Sequence, residues 1–288
     1  MNERQSIVSL GAFQRKINDY RTRIDNALLA ELNQRKNSVF YEPLMKALKG
    51  GKRLRPILLL LSFENVGNQK IDPLPAVVAL ELVHTESLIH DDIIDGDYFR
   101  RETTTFHTSY GIDMALLSAD FILSIILDIT SRNVDPKIPQ ILALATSEMC
   151  EGELEELAAY KSGQKLREDT YINIISKKTA SLFEASTAIG AIIGGAKKDE
   201  AQALSDYGRF LGISYQIQDD IADLEKTTTV NIQKLVDLTP EKIKSFQEIS
   251  DSYILKAKEK LESLRMNEAR ILLTQLADLT MLHAIDRL

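Results

Sequence analysis

Apolar side chains recur along this chain at helical spacing. Phe13, Ile17, Tyr20, Ile24, Leu28 and Leu32 return every three or four residues, with Arg, Lys, Asp and Glu between them. That is the pattern of a helix that buries one stripe. Val77, Leu80, His84, Leu88, Asp91 and Asp95 continue one face in the same way. Breaks fall where helix ends belong: Gly50-Gly51, Asp72-Pro73, Gly96, Asp135-Pro136, Gly163, Gly194-Gly195 and Thr239-Pro240. Few windows alternate polar and apolar residues long enough to suggest a sheet. Only 13 Gly and 7 Pro punctuate 288 residues, which favours long uninterrupted elements. No linker, low-complexity tract or short-period repeat interrupts the pattern. The expectation is an all-α fold, a single-domain helical bundle over residues 1–288.

Composition narrows the class. Apolar residues make up 44% of the chain, enough for a sizeable core and against wholesale disorder. With 35 basic and 42 acidic side chains the net charge is −7, which argues against a general nucleic-acid or membrane-surface binder. Cys150 is the only cysteine, so no internal disulfide is expected, and no Cys/His cluster suggests zinc. That fits a reducing compartment. The start, MNERQSIVSLGAFQRK, is too polar for the core of a signal peptide. The best apolar run, Pro56 to Phe63, is far shorter than a membrane span, and Asp120 and Asp128 interrupt the run from Ala115 to Ile129. A soluble, cytoplasmic protein with no integral membrane segment is expected.

Two aspartate clusters carry the candidate chemistry. Asp91-Asp92-Ile93-Ile94-Asp95 has the spacing D-D-x-x-D, and the same spacing returns as Asp219-Asp220-Ile221-Ala222-Asp223. On a helix, residues i and i+4 lie about 40° apart. Asp91 therefore projects with Asp95, and Asp219 with Asp223. Such pairs suit hard cations, and Mg²⁺ commonly joins a few carboxylates to a substrate phosphate. A solvated acidic face is the plain alternative for either cluster alone. Both clusters follow apolar stretches, however, and unpaired buried charge is costly. A second copy at identical spacing also makes coincidence a poorer explanation.

Other residues are weaker signals. His84, seven positions before Asp91, is either a core histidine or a ligand contact. Arg100-Arg101 form either surface salt bridges or a fork for phosphate oxygens, in an expected loop. Gly50-Gly51-Lys52-Arg53-Leu54-Arg55-Pro56 places cations at a glycine turn before a helix, a plausible anion site that lacks Walker-loop spacing. Gly208, Gly212, Gln216, Asp219 and Asp223 share one helical face, where the glycines permit close packing or leave room for a ligand. Lys177-Lys178-Thr179 reads as mid-helix, either an exposed charge pair or part of a site.

Taken in order, these segments resemble the trans-isoprenyl diphosphate synthase (polyprenyl synthetase) family. The matching stretches are GGKRLRP at 50–56, ELVHTESLIHDDIIDGDYFRR at 81–101, SKKTASLFEAS at 176–186, DYGRFLGISYQIQDDIAD at 206–223 and YILKAKEKLESLRMNEAR at 253–270. The resemblance implies a helical bundle around a deep apolar cavity and a homodimer. It implies condensation of an allylic diphosphate with isopentenyl diphosphate, using three Mg²⁺ ions for which Mn²⁺ can substitute. Asp91, Asp95 and Asp219 would be the main metal ligands, supported by Asp92, Asp220 and Asp223. Lys52, Arg55, His84 and Arg101 would hold isopentenyl diphosphate. Arg100, Lys178 and Gln216 would hold the allylic diphosphate, with Thr179 beside the reacting carbons. The catalytic set so implied is Asp91, Asp92, Asp95, Lys178, Thr179, Gln216 and Asp219.

The resemblance has departures. Where the family usually carries G-K-x-x-G-x-D-x-x-x-G-K-x-T, this chain reads LEKTTTVNIQKLVDLTPEKIKSFQEIS at 224–250, without glycine and shorter. Lys226 and Lys234 compete as the replacement for a phosphate-contacting lysine. Glu102 stands where a glycine is common. One alternative is therefore a non-catalytic or regulatory subunit of a heteromeric synthase, though two complete aspartate motifs speak against it. A terpene cyclase is a more distant alternative, since such enzymes lack G-K-R-x-R-P. Glu86 and Ser87 precede the first motif, where the family gates tail growth, and neither is a bulky aromatic floor. A product of twenty carbons or more is expected.

Overall fold

The computed structural model describes residues 10–67, 71–100, 103–132, 135–163, 165–224 and 239–282. Among the described residues it is all-α apart from one short hairpin, and the chain divides into two compact units. Lys16–Ile57 and Asp72–Gln140 form the first, which carries the first aspartate motif. The described parts of Met1–Arg15, Leu58–Ile71 and Ile141–Leu288 form the second, which carries the second motif.

The first unit holds most of α1 (Leu10–Asn33), then α2 (Tyr41–Ala47) and the start of α3 (Leu54–Val66). It continues with α4 (Leu74–Asp95), α5 (Phe106–Tyr110) and α6 (Ile112–Ser131). The stripe expected on α1 is the buried one: Phe13, Ile17, Ile24, Leu28 and Leu32 are all buried. Helix α4 packs against α6, with Val77, Leu80 and Ile89 buried on one and Ala115, Ala119, Ile122 and Ile126 on the other. The first half of α4, Ala76 to Val83, is buried on every side, as an apolar-all-round helix must be. Burial then fades through half-buried His84 and Asp91 to exposed Asp95. Gly96 ends the helix in the left-handed conformation, φ 69°, and its N–H bonds the Asp92 carbonyl.

Between α4 and α5 the structure departs from the expected loop. Strands β1 (Phe99–Arg100) and β2 (Thr103–Thr104) pair antiparallel, Phe99 opposite Thr104 and Arg100 opposite Thr103. Arg100 thus sits on a strand. Residues this few could not show as alternation in the sequence.

The second unit holds α7 (Lys137–Ser162, from Ile141), α8 (Glu168–Ile175), α9 (Ser181–Ile193) and α10 (Lys198–Leu224). It closes with α11 (Pro240–Glu262) and α12 (Glu268–Met281). Helix α10 is the hub, packed by α9, α11 and α12. Tyr171, Ile175, Ala180, Ile213, Ile217 and Phe246 form a buried cluster around it. A Cβ at Gly212 would stand 2.7 Å from Ala180 Cα, so this glycine serves close packing. Thr239 caps α11, its hydroxyl accepting from the Lys242 N–H at 3.3 Å, with Pro240 in the first turn. Ser176–Ala180 joins α8 to α9 as a π-helical turn, so the expected mid-helix lysines stand on a local irregularity of a kind frequent at functional sites.

No helix among the described residues is long and apolar enough to cross a membrane. Arg101, Glu102, Lys226 and Lys234 lie outside the described residues, as does most of the atypical 224–250 segment.

Candidate active site

The first unit presents an acidic helix end and a basic turn. Asp91 is half-buried and Asp95 exposed at the last turn of α4. Asp92, between them, is buried at 5% exposure and accepts from Arg100 Nε at 2.6 Å. Burial raises the Asp92 carboxyl and Arg100 opposes that shift. The hairpin therefore returns a cation to the first motif. One turn earlier, half-buried Glu86 is pushed up to about 7 by burial and by the like charge of Asp120 on α6. Burial lowers neighbouring His90, with Asp120 acting the other way.

The glycine turn is held from below. Gly50 and Gly51 have φ of 82° and 97°, and Arg53 follows at φ 54°. A non-glycine residue in that region needs compensation. Arg53 has it: Nη1 meets Glu81 Oε1 at 2.6 Å, Nε meets Asp25 Oδ1 at 2.9 Å, and Nη2 donates to the Leu48 carbonyl. Arg21 Nε also donates to the Lys52 carbonyl at 3.1 Å. Lys52 and Arg55 flank this strut, both half-buried. Arg55 Nη1 donates to His84 Nε2 at 3.1 Å. An arginine cannot accept, so that nitrogen is unprotonated and His84 carries its proton on Nδ1. Two residues singled out from distant segments thus meet. Sequence reasoning counted Arg53 among the cations of an anion site, whereas the structure engages it with Glu81, Asp25 and the Leu48 carbonyl. It looks like any cation of the turn, and only its backbone and burial reveal its role.

The second unit gathers the remaining candidates on α10 and the π turn. Thr179 donates to Gln216 Oε1 at 2.8 Å, and Gln216 Nε2 donates to Asp220 Oδ1 at 3.0 Å. Tyr171 donates to Asp220 Oδ2 at 2.5 Å. Burial pushes Asp220 up to about 7 despite these bonds, and pushes the Tyr171 hydroxyl well above its usual range. Lys178 Nζ lies 2.6 Å from Glu153 Oε2 and also meets Glu156. Lys177 is engaged by Glu155 at 2.7 Å and Glu151 at 3.3 Å. Helix α7 comes this close because position 152 is glycine: a Cβ there would sit 2.5 Å from Lys178 N. Asp219 is half-buried, and the side chain of Asp223 lies outside the described residues. Sequence reasoning missed Tyr171, Glu153 and Glu156. A tyrosine among apolar residues reads as core, and an acidic run reads as solvated.

The donor set fits a hard divalent cation. Asp91 and Asp95 rise together from a helix end that reaches the surface. Asp92 and Asp220 already serve an arginine, a tyrosine and an amide, which suits them to steadying a site more than to filling it. Among the described residues, no three His, Cys, Asp or Glu side chains form a ready metal cluster. Mg²⁺ needs none, since one or two carboxylates with water and substrate phosphate suffice.

Comparison with known proteins agrees with this chemistry. The family described as Polyprenyl synthetase matches residues 37–250. A geranylgeranyl diphosphate synthase of Methanosarcina mazei is 41% identical over 180 residues, covering 61% of this chain and 55% of that protein. The chain spans about 55% of the length of several archaeal relatives it matches in this way. A geranylfarnesyl diphosphate synthase of the same organism is 33% identical over 250 residues, covering 83% of this chain and 84% of its own. The solved decaprenyl diphosphate synthase of Rhodobacter capsulatus superposes with a TM-score of 0.84 at 26% identity, covering 95% of this chain and 98% of that one.

Proposed function

The chain belongs to the polyprenyl synthetase (trans-isoprenyl diphosphate synthase) family, and on that footing we propose that it is a Mg²⁺-dependent prenyltransferase. It condenses an allylic diphosphate with isopentenyl diphosphate and releases a longer trans-polyprenyl diphosphate. The observation that carries this reading is the pair of D-D-x-x-D motifs, each with its middle aspartate engaged by a specific partner: Arg100 for Asp92, Tyr171 and Gln216 for Asp220.

The residues divide the work. Asp91, Asp95 and Asp219 would hold the metal, with Asp92, Asp220 and Asp223 in support. The bound metal supplies neutralisation of the charge that builds on the departing diphosphate. Arg100, Lys178 and Gln216 grip the allylic diphosphate, where charge-assisted contacts are strongest. Lys52, Arg55, His84 and Arg101 take isopentenyl diphosphate, and the Arg53 strut keeps the turn of Lys52 and Arg55 in place. As the allylic C–O bond breaks, its electron pair leaves with pyrophosphate. The isopentenyl double bond then forms the new C–C bond, and the departed pyrophosphate takes the proton lost. Thr179 gives its hydroxyl hydrogen to Gln216, which leaves its oxygen lone pairs available to an electron-poor carbon bound beside it. Positioning carries most of the rate, and no side-chain nucleophile is needed.

Three finer points belong to the same reading. The two units act as one catalytic domain. The product has twenty carbons or more, since Glu86 and Ser87 offer no aromatic floor. The protein is a soluble, cytoplasmic homodimer: Ile112, Leu116, Leu123 and Leu127 make an exposed apolar face on α6 of the kind a second copy covers. The test is to incubate the pure chain with labelled isopentenyl diphosphate and starters of five, ten and fifteen carbons, then size the products. Metal-dependent elongation is expected, and Glu86→Phe should shorten the products while keeping activity. No elongation from any starter would overturn the reading.

A further inference from the structure

Tyr171 has no part in the division of work above, yet it touches its centre. It is buried at 3% exposure within the cluster of Ile175, Ala180, Ile213, Ile217 and Phe246. Its ring meets Phe246 edge-on, centroids 5.1 Å apart at 71°. A phenylalanine would satisfy that packing equally well. The hydroxyl is what needs an explanation, and it donates to Asp220 Oδ2 at 2.5 Å.

The bonds beyond it have one direction. Asp220 accepts on Oδ2 from Tyr171 and on Oδ1 from Gln216 Nε2. With one of its two N–H donors held by a carboxylate, Gln216 turns its oxygen toward Thr179 and keeps the second N–H for a diphosphate oxygen. Thr179 donates to that amide oxygen at 2.8 Å. An amide can flip, and a carboxylate held on one oxygen can turn. Two donors on separate oxygens of Asp220 stop that turn, so the sense of the amide and the direction of the Thr179 hydroxyl are fixed together.

We propose that Tyr171 is a positioning residue for the allylic half of the site: its hydroxyl pins Asp220, sets the amide sense of Gln216, and thereby aims Thr179. The assignment of a reaction to these residues rests on the prenyltransferase reading, while the pinning itself does not. Tyr171→Phe separates the two, because it keeps the ring and removes one bond. The side-chain amide of Gln216, assigned by its disappearance in Gln216→Ala, gives a ¹⁵N–¹H signal independent of turnover. In the wild type it should be a distinct, slowly exchanging pair. In Tyr171→Phe it should shift and average. Turnover should fall in kcat by about tenfold to a hundredfold, the loss of one hydrogen bond to a charged group, with the allylic KM within about twofold. In a Gln216→Ala background Tyr171→Phe should change kcat no further.

An unaltered Gln216 signal, or an undiminished effect of Tyr171→Phe in the Gln216→Ala background, would overturn the proposal. A wild type that binds no allylic diphosphate and makes no product counts against the prenyltransferase reading alone, and the amide signal still decides the pinning. If Tyr171→Phe fails to fold, 3-fluorotyrosine at position 171 replaces it. Its ¹⁹F resonance should move in Asp220→Asn, and a resonance that stays put would equally overturn the proposal.

Discussion

At the scale of single residues, the first unit stores its tension at Arg53 and Glu86. Arg53 holds a left-handed backbone through a buried ion pair with Glu81 at 2.6 Å. Arg53→Ala removes the hydrogen-bonded partner of the buried Glu81 carboxylate, and should lower stability by roughly 3–5 kcal/mol in urea denaturation. Replacing both, Arg53→Met with Glu81→Leu, should recover much of that loss. Glu86 predicts a pH dependence. Burial and Asp120 raise its carboxyl from 4.5 to about 7. The folded chain then binds the proton more tightly than the unfolded one across that window, so this group's contribution falls as pH rises from about 4.5 to 7. The full shift corresponds to roughly 3.4 kcal/mol, and solvent screening of this half-buried group brings the expected size to about 2 kcal/mol. Glu86→Gln should flatten the stability profile there, with Asp120 and His90 still present. An unchanged slope would show that Glu86 is not the group responsible.

At the scale of elements, most of the fold was legible in the sequence. Glycine and proline punctuation coincides with the ends of α4, α7, α9 and α11 because those residues act through the local backbone. What was not legible depends on partners distant in sequence. The hairpin around Arg100 exists because a strand pair brings that cation back to Asp92. The π turn at Ser176–Ala180 looks like uninterrupted helix in one dimension. Its environment is set by α7, whose Gly152 admits the backbone of Lys178. The candidate residues were legible as motifs, but their supports were not: Tyr171 and Glu156 read as ordinary core and surface residues, and Arg53 reads as one more cation of the glycine turn. Gly152→Ala follows from the same geometry. The added methyl would lie 2.5 Å from Lys178 N, so α7 or the π turn must move. Overpacking of this kind costs about 1–3 kcal/mol. The allylic KM should rise about tenfold while the isopentenyl KM stays near its wild-type value. Equal changes in both would place the damage elsewhere.

At the scale of the whole molecule, each compact unit carries one aspartate motif, and the proposed condensation calls on both motifs. In the proposed reaction neither motif works without the other. Residues that act as a unit give non-additive losses. The direct measurement is the condensation rate of the pure chain against Mg²⁺ concentration, for wild type, Asp91→Asn, Asp219→Asn and the double variant. Each single variant should lose at least about a hundredfold in kcat, the scale of removing one electrostatic stabiliser of the transition state. The double variant should fall little further, and wild type stripped with EDTA should recover only when Mg²⁺ or Mn²⁺ returns. A single variant that keeps the full rate, or a wild type that turns over without divalent metal, would contradict the account.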